Sequence, residues 1–299
     1  MTDAKRTLLV TGASGQLGRR VIELLLEKNA GRIVAVTRDS AKLKDLAARG
    51  VDVRRGDFDD AESLPAAFAG VDRALLISTD NLLRPGGRKQ HHREAVAAVV
   101  TAGVRHLVYT SCPAPHPDPT FLVADDHYWT EQAIAASPVG WTMLRNNIYA
   151  EIALAGLLQA GASGKLFTAT MGGARSYVTR EDCARAAAAA LADSFDGQRI
   201  LDVTGPAPVT HAELAAMAST ISGHAITAVD IGLDAMRQGM VKAGLPEALA
   251  DAYLGFDRDT AQGYYAVVTP MVETLTGKAP TALGTFLEQN QAALVAAAA

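Results

Sequence analysis

The sequence predicts an α/β protein: a doubly wound parallel sheet with a smaller, mostly helical lobe toward the C-terminus. Three observations predict it. Apolar runs alternate with helical patterns through the first half of the chain, the rhythm of parallel strands joined by helical crossovers, which should be right-handed. A glycine triplet, Gly12-x-x-Gly15-x-x-Gly18, stands between the first run and the first helical pattern. The chain has 299 residues, 49% hydrophobic and 20% charged, enough for a sizeable buried core.

Thr7-Leu8-Leu9-Val10 reads as the first strand, and Val21, Ile22, Leu24 and Leu25 mark the helix that follows. A helix N-terminus carries unpaired N–H groups and partial positive charge, so it attracts phosphate. Gly12 suits the sharp turn, Gly15 lets the backbone approach a pyrophosphate, and Gly18 lets helix and strand pack closely. Ser14, Gln16 and Leu17 complete this candidate dinucleotide cradle. The spacing differs from the better-known Gly-x-Gly-x-x-Gly, so the strand–turn–helix context carries the reading. An ordinary strand-to-helix turn is the plain alternative.

Strands are then expected at Arg32–Thr37, Val51–Arg54, Arg73–Ser78, His106–Thr110 and Trp141–Arg145. Helices are expected at Ser40–Arg49, Glu62–Phe68, Arg88–Ala102, Ala124–Ala136 and Asn147–Gln159. Pro113, Pro115, Pro117 and Pro119 rule out a helix and make a loop at the carboxyl end of strand five, a candidate wall for a substrate pocket. A short strand at Lys165–Phe167, an alanine-rich helix at Ala184–Ala192 and a late strand at Ile200–Val203 follow. Thr210 and Glu213 form a capping box, and the alanine-rich tail is expected to fray. A dinucleotide-binding core over 1–150, with later contributions from about 176–204, would precede a smaller, partly interwoven substrate-side lobe over 151–299.

Several classes are excluded. A net charge of −4 gives no general pull toward nucleic acid or anionic membrane. No apolar run reaches transmembrane length, and the N-terminus leads directly into strand one without room for a signal peptide, so a cytoplasmic protein is expected. Cys112 and Cys183 have no metal or redox spacing and read as small core residues, and no metal site is expected. An oligomer is compatible with the sequence.

Cofactor choice is decided after strand two, where a carboxylate would bind the adenosine ribose and a cation the extra phosphate. Arg38 follows the strand and Lys42 lies one turn on, which favours NADPH over NADH; Asp39 competes for either role. Asp57 can accept from the adenine amino group with Phe58 beside the ring, though helix capping is the plain alternative. Ser78 and Thr79 would face the nicotinamide ribose. Asn146, Asn147 and Tyr149 follow strand six at the ligand-facing edge, where the amides could hold the cofactor's carboxamide or a substrate carbonyl, or cap the next helix. His91 and His92 are adjacent and read as a solvated or half-buried pair. Asp182 and Arg180 read as stitching the two lobes together.

The glycine triplet, Arg38, Gly56-Asp57-Phe58 and Tyr177-Val178-Thr179-Arg180-Glu181-Asp182 resemble the atypical short-chain dehydrogenase/reductases, NmrA-like branch. Tyr109-Thr110-Ser111, Ala124-Asp125-Asp126-His127, Leu144-Arg145-Asn146-Asn147-x-Tyr149 and Thr276-Gly277-Lys278-Ala279-Pro280-Thr281 extend the likeness nearly end to end. Within the branch, the chain is most similar to its NADPH:quinone reductase and triphenylmethane-dye reductase members. The departure is informative. Where the superfamily places Tyr-x-x-x-Lys, this chain has His127 and Glu131. A reduced ketone is an alkoxide of pKa about 16 and needs a strong proton donor. A reduced quinone is a phenolate of pKa about 10, for which hydrogen bonds or a mild acid suffice.

The resemblance therefore implies an NADPH-dependent reductase moving hydride directly to a quinone-like or other electron-poor small molecule, without flavin or metal. His127 is the candidate acid, titrating near 6.5, with Asn147 and Tyr149 as further oxyanion partners. A hydrogen bond from His127 to Glu131 is its plain alternative. The rival reading is a non-catalytic NADP(H)-binding redox sensor of the NmrA type. A hydrolase built on Ser111 lacks partners.

Overall fold

The computed structural model describes residues 6–79, 81, 84, 86–118 and 120–298. Residues 1–5 and Pro119, the last proline of the strand-five loop, lie outside them. In chain order, the first half runs β1 (Thr7–Val10), α1 (Gln16–Glu27), β2 (Arg32–Thr37), α2 (Lys44–Ala48), β3 (Asp52–Arg55), α3 (Leu64–Phe68), β4 (Arg73–Leu76), α4 (Gly87–Thr101), β5 (His106–Ser111), α5 (Leu122–Ala135) and β6 (Gly140–Asn146). Then come α6 (Ala150–Ala160), β7 (Lys165–Thr168), β8 (Ala174–Arg175), α7 (Arg180–Ala192), β9 (Gln198–Val203), β10 (Val209–Thr210), α8 (His211–Ser222) and β11 (Thr227–Asp230). Helices α9 (Gly232–Lys242), α10 (Glu247–Ala261), α11 (Met271–Thr276), α12 (Leu283–Gln289) and α13 (Gln291–Ala298) close the chain.

A seven-stranded parallel sheet is ordered β3-β2-β1-β4-β5-β6-β9. Its central strands are buried on both faces, which is why they read as unbroken apolar runs rather than alternating ones. Leu9 lies beside Val34 on one side and Ala74 on the other. The order reverses between β1 and β4, and beyond the carboxyl ends of strands at such a point an open α/β sheet binds its ligand. Helix α1 turns Leu17, Val21, Ile22, Leu24 and Leu25 inward, at helical spacing.

The chain divides into two compact units. The first comprises Met1–Pro117, Asp125–Arg145 and Cys183–Leu201; the second comprises Asp118–Ala124, Asn146–Asp182 and Asp202–Ala299. In the first, buried Arg73 donates to the carbonyls of Leu191 (2.9 Å) and Phe195 (2.9 Å) and to the Asp196 carboxylate (3.0 Å), fixing the segment after α7. The second has its own apolar core around Ile148, Leu157, Leu166, Leu214, Tyr265 and Leu287. There β7 pairs in parallel with β11, and β8 antiparallel with β10.

Differences from the sequence reading have local causes. The helix expected at Ser40–Arg49 opens instead as a 3-10 turn, Ser40–Leu43, because the Asp39 side chain accepts from Ala41 N at 3.0 Å. Helix α7 begins at Arg180 rather than Ala184. Thr179 Oγ1 accepts from Asp182 N (3.0 Å) and donates to its carboxylate (2.7 Å), a reciprocal cap. Asp182 also accepts from Thr281 N at 2.9 Å. The tail does not fray: α13 is helical and buries Leu294. The Thr210–Glu213 capping box forms as expected, and both cysteines are buried thiols rather than halves of a disulfide. Among the described residues, no helix is long and apolar enough to cross a membrane.

Candidate active site

The cradle begins at Gly12, whose φ of +59° a side chain would strain. Gly15 N donates back to Gly12 O at 2.9 Å, closing the turn. A Cβ on Gly18 would lie 2.4 Å from Gly12 O, so only glycine lets α1 sit this close to β1. Gly15 is the N-cap of α1 and supplies no side-chain cap, so the first N–H groups of the helix are not capped from within. Ser14, Gly15 and Gln16 are exposed there, while Leu17 is buried and offers only its backbone. Uncapped donors on an exposed helix N-terminus fit the pyrophosphate of a dinucleotide.

At the end of β2, Arg38 and Lys42 are exposed, and Arg38 makes no hydrogen bond among the described residues. Asp39, the competitor, spends a carboxylate oxygen on Ala41 N. Asp57 does similar capping work, accepting from Asp59 N at 3.1 Å, and its own N–H donates to Ser63 Oγ at 2.9 Å. Phe58 packs on the core beside His91. At the end of β4, Ser78 N donates to Thr110 Oγ1 (2.9 Å) and Thr79 N to His92 Nε2 (3.0 Å). The buried Thr79 hydroxyl has no partner among the described residues.

Behind Thr79 runs a buried polar spine that fixes the histidine tautomers. Arg88 can only donate, so His127 Nε2, 3.2 Å away, accepts. The neutral ring then carries its proton on Nδ1 and donates it to Tyr109 Oη at 2.7 Å. Likewise Thr79 N–H makes His92 Nε2 an acceptor. The His92 proton sits on Nδ1 and is donated to Thr130 Oγ1 (2.9 Å), which donates to Asp126 O (2.6 Å). Burial, reinforced by the Arg88 cation, pushes both histidines well below their ordinary pKa. Burial pushes the Tyr109 phenol up, so it stays protonated.

This corrects three expectations. His91 and His92 are neither solvated nor half-buried: His92 is fully buried, and His91 lies 2.8 Å from Asp59 Oδ1. His127 does not bond Glu131. Glu131 instead accepts from Ser111 Oγ (2.7 Å) and takes Arg145 in a two-pronged pair (3.0 and 2.6 Å). A titration of His127 near 6.5 does not survive burial beside a guanidinium. Arg88, His92, Tyr109 and Thr130 are the residues sequence reasoning missed. Their signal was present only in part, as the Tyr109-Thr110-Ser111 and Asp126-His127 stretches.

The remaining candidates belong to the second unit. Asn147 is committed internally, donating to Tyr265 O (3.0 Å) and accepting from Ile148 N (2.8 Å). Tyr149 is the N-cap of α6, with the Arg180 guanidinium 5.2 Å from its ring centre. Asn146 differs. Its amide is buried, and neither its oxygen nor its nitrogen has a partner among the described residues. An amide donor and acceptor left unpaired at a strand's carboxyl end suits a carboxamide, which offers the complementary pair.

The chain also matches known proteins. Residues 12–194 match the NAD(P)H-binding family model. The chain is 35% identical over 257 residues to quinone oxidoreductase 2 of Escherichia coli, covering 86% of this chain and 88% of that protein. It is 30% identical over 290 residues to an NAD(P)H azoreductase of Xenophilus azovorans, covering 97% and 100%. The Escherichia coli NADPH-dependent quinone oxidoreductase complexed with NADPH superposes with a TM-score of 0.88 at 33% identity, over 95% of this chain and 99% of the other. Citrobacter triphenylmethane reductase complexed with NADP(H) superposes at 0.84 and 32% identity, over 94% and 99%.

Proposed function

The chain belongs to the NAD(P)H-binding family and is an NADPH-using oxidoreductase, and from that premise we propose that it reduces quinone-like or other electron-poor acceptors directly. One observation carries the choice of acceptor. At the position of the superfamily's Tyr-x-x-x-Lys pair, His127 and Glu131 are both held inside internal networks, and His127 is neutral. Among the described residues that position offers no strong acid for an alkoxide, so it suits a product that is stable as a phenolate.

The cradle residues and the two polar clusters divide the work. The uncapped N-terminus of α1 binds pyrophosphate, and Arg38 and Lys42 hold the additional phosphate. Asn146 takes the carboxamide, and the spine from Arg88 through His127 and Tyr109 is a scaffold for the end of β4. NADPH supplies the hydride, which brings both electrons to the acceptor oxygen, and a proton from water completes the hydroquinone. His127 is a positioning residue here; Asn147, by its side-chain bonds, ties Ile148 to Tyr265, and Tyr149 remains an oxyanion partner.

Steady-state NADPH oxidation against a panel of quinones, azo and triphenylmethane dyes, enones and ketones tests the reading. Turnover should be confined to the first groups and be absent with simple ketones. Tight NADPH binding with no turnover on any acceptor would instead favour the sensor.

A further inference from the structure

The second unit encloses a cavity of about 1030 Å³. Its walls are mostly apolar, with Leu166, Leu214, Met240 and Phe256 among them; Arg175, Tyr177, His211 and Asp257 form one polar cluster in the wall, and Glu151, Lys165 and Arg180 also line it. Arg175 is buried and donates to Thr260 Oγ1 (2.7 Å) and Asp257 (2.6 Å), so its charge is matched. His211, pushed down to about 4 by burial and by Arg175, is uncharged at neutral pH. Tyr177 is 2% exposed. Its hydroxyl oxygen lies against the Arg175 guanidinium, which can only donate to it, so the O–H itself has no acceptor among the described residues. A buried O–H without an acceptor, at the polar end of an apolar chamber, is a group waiting for an acceptor atom.

We infer that this cavity binds the electron acceptor as a neutral, largely apolar molecule of more than one ring, with an acceptor oxygen bonded by the Tyr177 hydroxyl. Size argues for the bulk: ligand cavities run from about 300 to 1,000 Å³, and a lone benzoquinone would leave most of this one unfilled. Around Tyr177 the matched Arg175–Asp257 pair offers no net charge to a carboxylate or sulfonate, which argues for a neutral acceptor oxygen at that end. The inference rests on the acceptor class proposed above and adds where it binds and what recognises it.

The test is equilibrium dialysis of 2,3-dimethyl-1,4-naphthoquinone, whose blocked ring positions resist thiol addition, against the full chain saturated with NADP⁺. Gly239 on α9 lines the cavity, and a Cβ there meets nothing within 4 Å, so Gly239→Phe fills the space without a backbone clash. It should weaken quinone binding by roughly tenfold or more, while Gly239→Ala binds like the parent. Tyr177→Phe should weaken the quinone roughly fivefold and leave 2,3-dimethylnaphthalene, the same body without oxygens, unchanged. An unaltered quinone affinity in Gly239→Phe, no measurable binding to the parent, or equal losses of quinone and hydrocarbon in Tyr177→Phe would overturn the assignment. The two readings fail separately. Turnover with unmoved affinities in the variants removes the cavity and keeps the reductase; the predicted affinity shifts without any turnover keep the cavity and remove the reductase.

Discussion

Two polar regions of the first unit sit close in sequence logic and differ in how their groups are used. At the N-terminus of α1 and the end of β2, donors and cations are left uncommitted: the helix has no side-chain cap, and Arg38 and Lys42 face solvent. In the spine behind β4, every ring nitrogen of His92 and His127 has a partner, and two donor-only groups dictate where each proton sits. Uncommitted groups on an exposed surface make a ligand site. Groups fully spent in a buried network make a scaffold, and a histidine in such a network is a poor acid however suggestive its position.

The cradle should break most sharply. Gly18→Val forces a Cβ toward Gly12 O and should weaken NADPH binding by about 10²-fold, reflecting overpacking of a few kcal/mol at the turn. Isothermal titration measures it, and near-parental affinity would show that the close approach of α1 is dispensable.

Acid should strain the buried histidines, His92 and His127 of the spine together with His106 and His211, rather than the cradle. His92, His106, His127 and His211 all have depressed folded-state pKa values, two of them down to about 4. The unfolded chain therefore binds more protons below about pH 6.5, and their contribution is present above that pH and lost as pH falls toward the folded values. Each histidine should lose up to about 1.4 kcal/mol per pH unit in that window, opposed by Asp126, whose carboxyl burial pushes up. Urea unfolding at pH 7.5 and 5.5 reads the sum; equal stability at both would contradict burial of neutral rings.

Arg38→Ala sharpens the contrast from the other side. Losing a solvent-facing cation bonded to phosphate should weaken NADPH about tenfold and leave NADH nearly untouched. Equal losses for both cofactors would assign Arg38 another task. The smallest kinetic effect is expected from His127→Asn. Stability should fall by about 1–3 kcal/mol because Arg88 and Tyr109 lose a well-placed partner. The pH profile of turnover between 6 and 8 should stay as it is in the parent, whereas disappearance of an acid limb would restore His127 as a proton donor.

The contrast also marks how far the sequence could be read. Strand β2 and the Gly12–Gly18 turn were legible because an apolar run ending at glycines has one local solution, independent of what packs around it. The start of α7 was not, because alanine richness drew attention to Ala184 while the Thr179–Asp182 cap set the helix four residues earlier. Asn146 and Asn147 are neighbours of the same type with opposite fates, one unpaired and one bonded to Tyr265 O more than a hundred residues away. Adjacent identical residues cannot be told apart without the tertiary partner. The same holds for His127, whose neutrality depends on Arg88 from a different helix.

The central claim is direct hydride transfer to an acceptor that needs no strong acid. A single-turnover experiment with NADPH deuterated at the transferred position, with no flavin added, tests it by comparing a naphthoquinone with cyclohexanone at pH 7. The account predicts rapid NADPH oxidation by the quinone, one NADPH per quinone, slowed by the deuterium, and no oxidation by the ketone. Reduction of the ketone, or NADPH bound tightly and left unoxidised by the quinone, would contradict it.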